Sequence, residues 1–133
     1  MEGRGMSKGK IMSFRINGKL PSLNEVIAEN RKGARAGAAL KRTVQERIGW
    51  ELKPFLLKKA VRPVTGACVI HIFWHEDDLR RDVDNIQSAQ KFILDALVDA
   101  GVLPDDGRRY VRQIYHEIHT GDEAYVVVAI EEV

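Results

Sequence analysis

Two carboxylates two positions apart, Asp82 and Asp84, stand out because two arginines, Arg80 and Arg81, directly precede them. In an extended segment such side chains leave the backbone on one side, roughly 6–7 Å apart along the chain. The pair either repels itself, at a cost of order 1 kcal/mol in water and several at lower dielectric, or holds a cation that reverses the sign. Oxygen-only donors suit Mg²⁺, with Mn²⁺ able to substitute. The arginines would neutralise a purely acidic site unless a further anion were present. A phosphodiester backbone supplies that anion: Arg80 or Arg81 grips one phosphate while the metal polarises its neighbour. The pattern predicts metal-dependent phosphodiester cleavage.

Further motifs follow in a recognisable order: Asp82-Val83-Asp84-Asn85-Ile86-Gln87, Lys91-Phe92-Ile93-Leu94-Asp95-Ala96-Leu97, and Gly101-Val102-Leu103-Pro104-Asp105-Asp106. With the early turn Pro21-Ser22-Leu23-Asn24, they resemble the signature of the RusA family of Holliday junction resolvases, across most of residues 11 to 133. The resemblance implies Asp82, Asp84 and Asp106 as metal ligands and Lys91 as the basic group at the scissile phosphate. Arg80 and Arg81, from their place beside the pair, and Asn24 and Asn85 are expected as DNA contacts. Members are small, homodimeric, Mg²⁺-dependent endonucleases, often carried by phages and prophages, that nick two opposing strands of a four-way DNA junction for recombination and repair. An intertwined homodimer with no small-molecule cofactor is therefore expected. In the family's common form the lysine lies four residues after the second aspartate; here Lys91 lies seven after Asp84, and Ser88 holds the fourth place. On a continuous helix the extra three residues move the amine about 4.5 Å along but only about 60° around, so Asp84, Lys91 and Asp95 would still share a face.

The elements that must position these groups are legible in outline. The 133 residues suit one domain with a core that needs no disulfide. Cys68 is the single cysteine, no apolar run is long enough to span a membrane, and no secretory pattern is present, so a cytoplasmic protein is expected. Residues 1–10, with three glycines, Arg4, Lys8 and Lys10, read as a disordered basic tail, and 11–133 as the nuclease domain. Ile11 to Asn17 alternates as a first strand, and Ala67 to His75, rich in β-branched and aromatic residues, as a second.

Between them Ser22 to Lys59 is helix-prone, with a glycine-rich break at Gly33 to Gly37. Ala39, Leu40, Val44, Ile48 and Leu52 recur at helical spacing and can face the core. Residues 30–63 carry ten Lys or Arg against Glu46 and Glu51. That surplus reads as a DNA-backbone surface or as a solvated helix face. The loop-like Arg31-Lys32-Gly33-Ala34-Arg35 is the better phosphate contact, through Arg31, Lys32 and Arg35.

Asn85 to Ala100 predicts a second helix with Ile86, Ala89, Ile93, Leu97 and Ala100 buried and Gly101 as its stop. A capping box of Asp84 with Gln87 would explain Asp84 structurally, though neither Asp82 nor Asp106. The helix is about 24 Å long and residues 101–106, extended, travel back about 20 Å, which nearly returns Asp106 to the pair. Otherwise Asp106 would face another subunit.

His75-Glu76-Asp77-Asp78 reads as an acidic turn in preference to a metal cluster, and His71 and His116 as packing or surface residues. Arg108 to Thr120 and Ala124 to Glu132 complete the pattern as strands around Gly121-Asp122, the second strand central or covered on both faces. The order β-α-β-α-β-β predicts an α+β domain, a mixed sheet packed against two main helices. Two rival functions carry the same residues: a non-catalytic DNA-binding protein, or another Mg²⁺-dependent nucleic-acid phosphodiesterase.

Overall fold

The computed structural model describes residues 9–58 and 62–133. Residues 1–8 of the expected tail lie outside the described residues, whereas Gly9 and Lys10 belong to the first strand. The chain forms β1 (Gly9–Asn17), α1 (Leu23–Lys32), α2 (Ala34–Leu57), β2 (Cys68–Glu76), α3 (Val83–Gln87), α4 (Gln90–Asp99), β3 (Val111–Thr120) and β4 (Tyr125–Glu132). It is an α+β domain with a mixed four-stranded sheet, and each of the two expected helical stretches is divided in two.

The strands lie in the order β1-β4-β2-β3, with β4 antiparallel to both neighbours and β2 parallel to β3. Strand β4 lies inside the sheet, the first of the two readings its apolar run allowed, while its alternating burial does not fit cover on both faces. The Gly121-Asp122 turn does not form a hairpin, because β2 lies between the strands it connects. The α3–α4 segment is the crossover that a parallel β2–β3 pair requires.

Period-2 alternation decides which face is covered. Met12, Phe14 and Ile16 on β1, Ile70, Ile72 and Trp74 on β2, and Val126, Val128 and Ile130 on β4 are buried on one face. They join Val44, Ile48 and Leu52 of α2 and Phe92, Ile93 and Leu97 of α4 in one apolar cluster. Leu40 packs beside it, but Ala39 faces solvent. Cys68 is fully buried there, and burial, with the nearby Glu132 charge, pushes its thiol up to about 11.

Glu132 is the buried acid that ties the sheet's end to the incoming chain. It accepts hydrogen bonds from the backbone N–H of Thr65 (3.0 Å) and Gly66 (2.9 Å) and pairs with Arg62. Those amides, and then Arg62, pull its carboxyl down to about 2. No helix among the described residues is long and apolar enough to cross a membrane.

Candidate nucleic-acid and metal site

The segment leading to the aspartates is set by a buried ion pair. Arg81 donates from Nε and Nη2 to Oε1 and Oε2 of Glu76 at 2.9 and 2.7 Å, and from Nη1 to the Leu20 carbonyl at 2.8 Å. The Arg81 side chain is 15% exposed and that of Glu76 4%. All three bonds tie the end of β2 and the loop after β1 to the residue immediately before Asp82. Arg81, expected on DNA, is thus engaged as a clamp inside the protein. The Arg80 side chain is 87% exposed, with a loose contact to Asp78 at 3.6 Å.

The acidic turn is likewise spent on structure. Lys19 lies 2.8 Å from Asp77 and 3.6 Å from Asp78, and holds the Asp77 carboxyl below its ordinary range. The Asp78 carboxyl is also lowered, chiefly by the Arg80 backbone N–H.

Asp82 takes the N-cap position of α3 with extended backbone, φ −74° and ψ 162°, while Asp84 already lies in the first helical turn. The strand-like geometry expected for the pair therefore does not apply. The expected capping box at Asp84 is absent too: the Asp82 side chain makes no cap hydrogen bond, and Asp84 Oδ1 accepts from the next residue's N–H at 3.0 Å. Both aspartates are exposed. Their negative charges beside the free N–H groups of a helix start suit the local dipole, yet capping does not occupy them.

A capping box does exist, at Ser22. Its Oγ accepts from the Glu25 N–H (3.1 Å), and Glu25 Oε1 accepts from the Ser22 N–H (2.8 Å). The Ser-x-x-Glu spacing announces it. The adjacent Asn24 N–H donates to Asn85 Oδ1 at 3.2 Å. Two motif asparagines 61 positions apart are thus in direct contact, with Asn85 serving an otherwise orphaned amide of α1.

The helix expected over Asn85 to Ala100 breaks at Ser88 and Ala89. The break falls between Asp84 and Lys91, so Lys91 does not lie on a helix continuous with the aspartate. Ile86, Ala89, Ile93 and Leu97 are buried as expected, with Ala100 partly so, and Gly101, at φ +81°, supplies the left-handed stop.

Beyond it the chain returns along α4, with Val102 and Leu103 buried, to bring Asp106 Oδ2 within 2.9 Å of Lys91 Nζ. The same ammonium lies 3.1 Å from Asp95 Oδ1, and Lys41 approaches Asp95 Oδ2 at 3.6 Å. Asp106 first and then Asp95 raise the pKa of Lys91, and Lys91 in turn lowers that of Asp106. Lys91 is therefore a fixed cation at neutral pH and no base. These groups line an open hollow of about 320 Å³ with Asp99.

The structure brings Asp106 to Lys91 and Asn24 to Asn85. Among the described residues no three His, Cys, Asp or Glu side chains group closely enough to hold one ion, so the three expected ligands Asp82, Asp84 and Asp106 are not seen assembled as a cluster. Two exposed carboxylates remain as hard donors, and these fit Mg²⁺, which commonly binds through one or two carboxylates together with waters and substrate phosphate.

The expected basic loop is a single-residue break at Gly33, whose φ of 134° and ψ of 169° suit only glycine, so α1 runs almost directly into α2. Arg31 and Lys32 end α1 and Arg35 begins α2, all exposed, followed by exposed Lys41 and Arg42. Lys32 reaches Glu29 at 2.6 Å.

His116 Nδ1 accepts from Trp74 Nε1 at 2.9 Å, so Nε2 carries the proton and donates to Gln90 Oε1 at 3.0 Å. Burial lowers its pKa. This is a packing role, as expected, with no link to the acidic pair. Compared with known proteins, the chain matches no family model and no curated protein, so the functional reading rests on these residues themselves.

Proposed function

We propose that this chain is a Mg²⁺-dependent endonuclease for branched DNA, cutting four-way junctions by paired nicks as a homodimer. The observation that carries the reading is convergence: the Asn24–Asn85 and Lys91–Asp106 contacts join motifs scattered over 80 residues around the start of α3 and α4. Asp82 and Asp84 are the hard-donor pair, each exposed to a phosphate approaching from solvent. Bound there, Mg²⁺ would activate water and stabilise charge on the phosphate and leaving oxygen. Lys91, held by Asp95 and Asp106, presents a fixed positive charge for the phosphate in the transition state. In this reading Asp106 orients Lys91 within its own chain. Arg80 supplies a mobile phosphate contact, and Arg31, Lys32, Arg35, Lys41 and Arg42 form the backbone-binding surface that releases condensed counterions.

A second reading, a DNA-binding protein without catalysis, is favoured by the lack of a three-acid group among the described residues. Incubating the protein with labelled four-way and linear DNA, in Mg²⁺ and in chelator, separates the two. Symmetric nicks in the junction, abolished by chelator, are expected. Tight junction binding without nicks in either Mg²⁺ or Mn²⁺ selects the second reading.

A further inference from the structure

A crevice of about 240 Å³ opens between α1, α2 and α4, beside the hollow that holds Asp106. Leu23 and Val26 of α1, Leu40 of α2 and Phe92 of α4 form its walls. Val26 and Leu40 are only partly buried and Leu23 is 37% exposed, so apolar surface is open to solvent there. Asn30 and Ser88 place hydrogen-bonding groups among these walls.

The crevice is built into the helix pair. A Cβ at Gly37 would lie 2.1 Å from Asn30 Oδ1, so the missing side chain is what lets the Asn30 amide lie against α2 at the crevice. The break between α3 and α4 supplies Ser88.

Its rim is shared with the proposed phosphate site. Lys41, Lys91 and Asp95 line both the crevice and the hollow with Asp106. Two lysines against one carboxylate leave the crevice's rim positive, and Arg31, Arg35 and Arg42 lie exposed on the same two helices. An occupant suited to these surroundings has an apolar face, hydrogen-bonding edges and a covalent link to a polyanion. A nucleobase has all three. The volume lies below the about 300–1,000 Å³ of sites for drug-sized ligands, which suits one base and no longer segment.

We propose that this crevice takes a single nucleobase turned out of the DNA stack, next to the phosphate held at Lys91. The inference rests on the reading that the chain binds branched DNA and adds the group by which that DNA is held in register. Turning a base out costs least where its stacking or pairing partners are already missing, and in the open form of a four-way junction the pairs at the branch lack a stacking neighbour on one side. Seating the base fixes which phosphate of the strand meets Lys91, a positioning role for the crevice.

The test uses the full chain and four-way junctions that carry one 2-aminopurine, a base whose fluorescence is quenched by stacking, at each nucleotide beside the branch in turn. Chelator is present, so that no strand is cut. At saturating protein one position is expected to brighten roughly threefold or more while the others hold. The brightening is expected to vanish in Val26→Phe and in Gly37→Leu, which fill the crevice from α1 and α2. Where neither variant folds by circular dichroism, the wild type decides: an abasic site opposite the bright position removes the cost of unpairing and tightens binding roughly fivefold or more. A bound junction with no position brightening, brightening retained in both variants, or an affinity indifferent to the opposing abasic site overturns the proposal. Brightening without nicks in Mg²⁺ leaves it standing and defeats the nuclease reading instead. Nicks without brightening do the reverse, and a chain that binds no junction defeats both.

Discussion

Replacing Arg81 with Ala removes the guanidinium that makes three hydrogen bonds of 2.7–2.9 Å and leaves the Glu76 carboxylate, 4% exposed, without its partner. Stripping one member from a buried pair costs about 3–5 kcal/mol, because the remaining charge stays desolvated. For a domain of this size that corresponds to a fall in melting temperature of roughly 10–20 °C. Arg81→Lys keeps the charge but loses the two-pronged geometry and the bond to the Leu20 carbonyl, and should cost about 1–3 kcal/mol. Adding Glu76→Leu to Arg81→Ala removes the stranded charge and should recover much of the loss. Thermal and urea unfolding of the four proteins, followed by circular dichroism, measures each step. A shift below about 3 °C for Arg81→Ala, accompanied by weakened junction binding, would refute the clamp and return Arg81 to the DNA surface.

Other consequences follow from the same kind of reasoning. Glu132→Gln turns an amide nitrogen toward a donor and should destabilise by about 1–3 kcal/mol. Because the Glu132 carboxyl is held down to about 2 from an ordinary 4.5, its contribution is present above pH 4.5 and is lost between 4.5 and about 2; urea midpoints across that range should show the loss in wild type and a smaller one in Glu132→Gln. His116 has a pKa below the ordinary 6.5, so the unfolded chain takes up the proton first as acid is added. Its contribution is complete above pH 6.5 and falls as pH drops through the folded value, and ring-proton NMR should locate that titration below 6.5. Lys91→Ala leaves Asp95 and Asp106 facing each other's charge at the surface, so melting temperature should change by less than about 3 °C while junction cleavage drops at least 100-fold, compared by gel assay.

Much of the fold can be read from the residues because burial imposes a period. The alternation in β1 and β2 and the spacing of Val44, Ile48 and Leu52 give elements within a few residues of those observed. What the sequence hides is non-local. Nothing local tells β4 to insert between β1 and β2, and the turn at Gly121-Asp122 looks like a hairpin until the register is known. The break at Ser88-Ala89 carries no proline or glycine to announce it. At the site, the return of the chain after Gly101 follows from length alone, yet its end point at Lys91 depends on how Val102 and Leu103 bury. Arg81 looks like a phosphate ligand in one dimension and is a clamp in three, since Glu76, five residues earlier, ends its strand with the carboxylate buried. Ser22 with Glu25 was the readable cap, and Asp84 with Gln87 the misleading one.

The most direct test asks whether the exposed pair at the start of α3 does chemistry. Single-turnover cleavage of a labelled four-way junction in Mg²⁺ should fall at least 1,000-fold in Asp82→Asn and in Asp84→Asn, with junction affinity and melting temperature close to wild type. Undiminished cleavage by either variant would contradict the assignment of metal-dependent hydrolysis to these carboxylates.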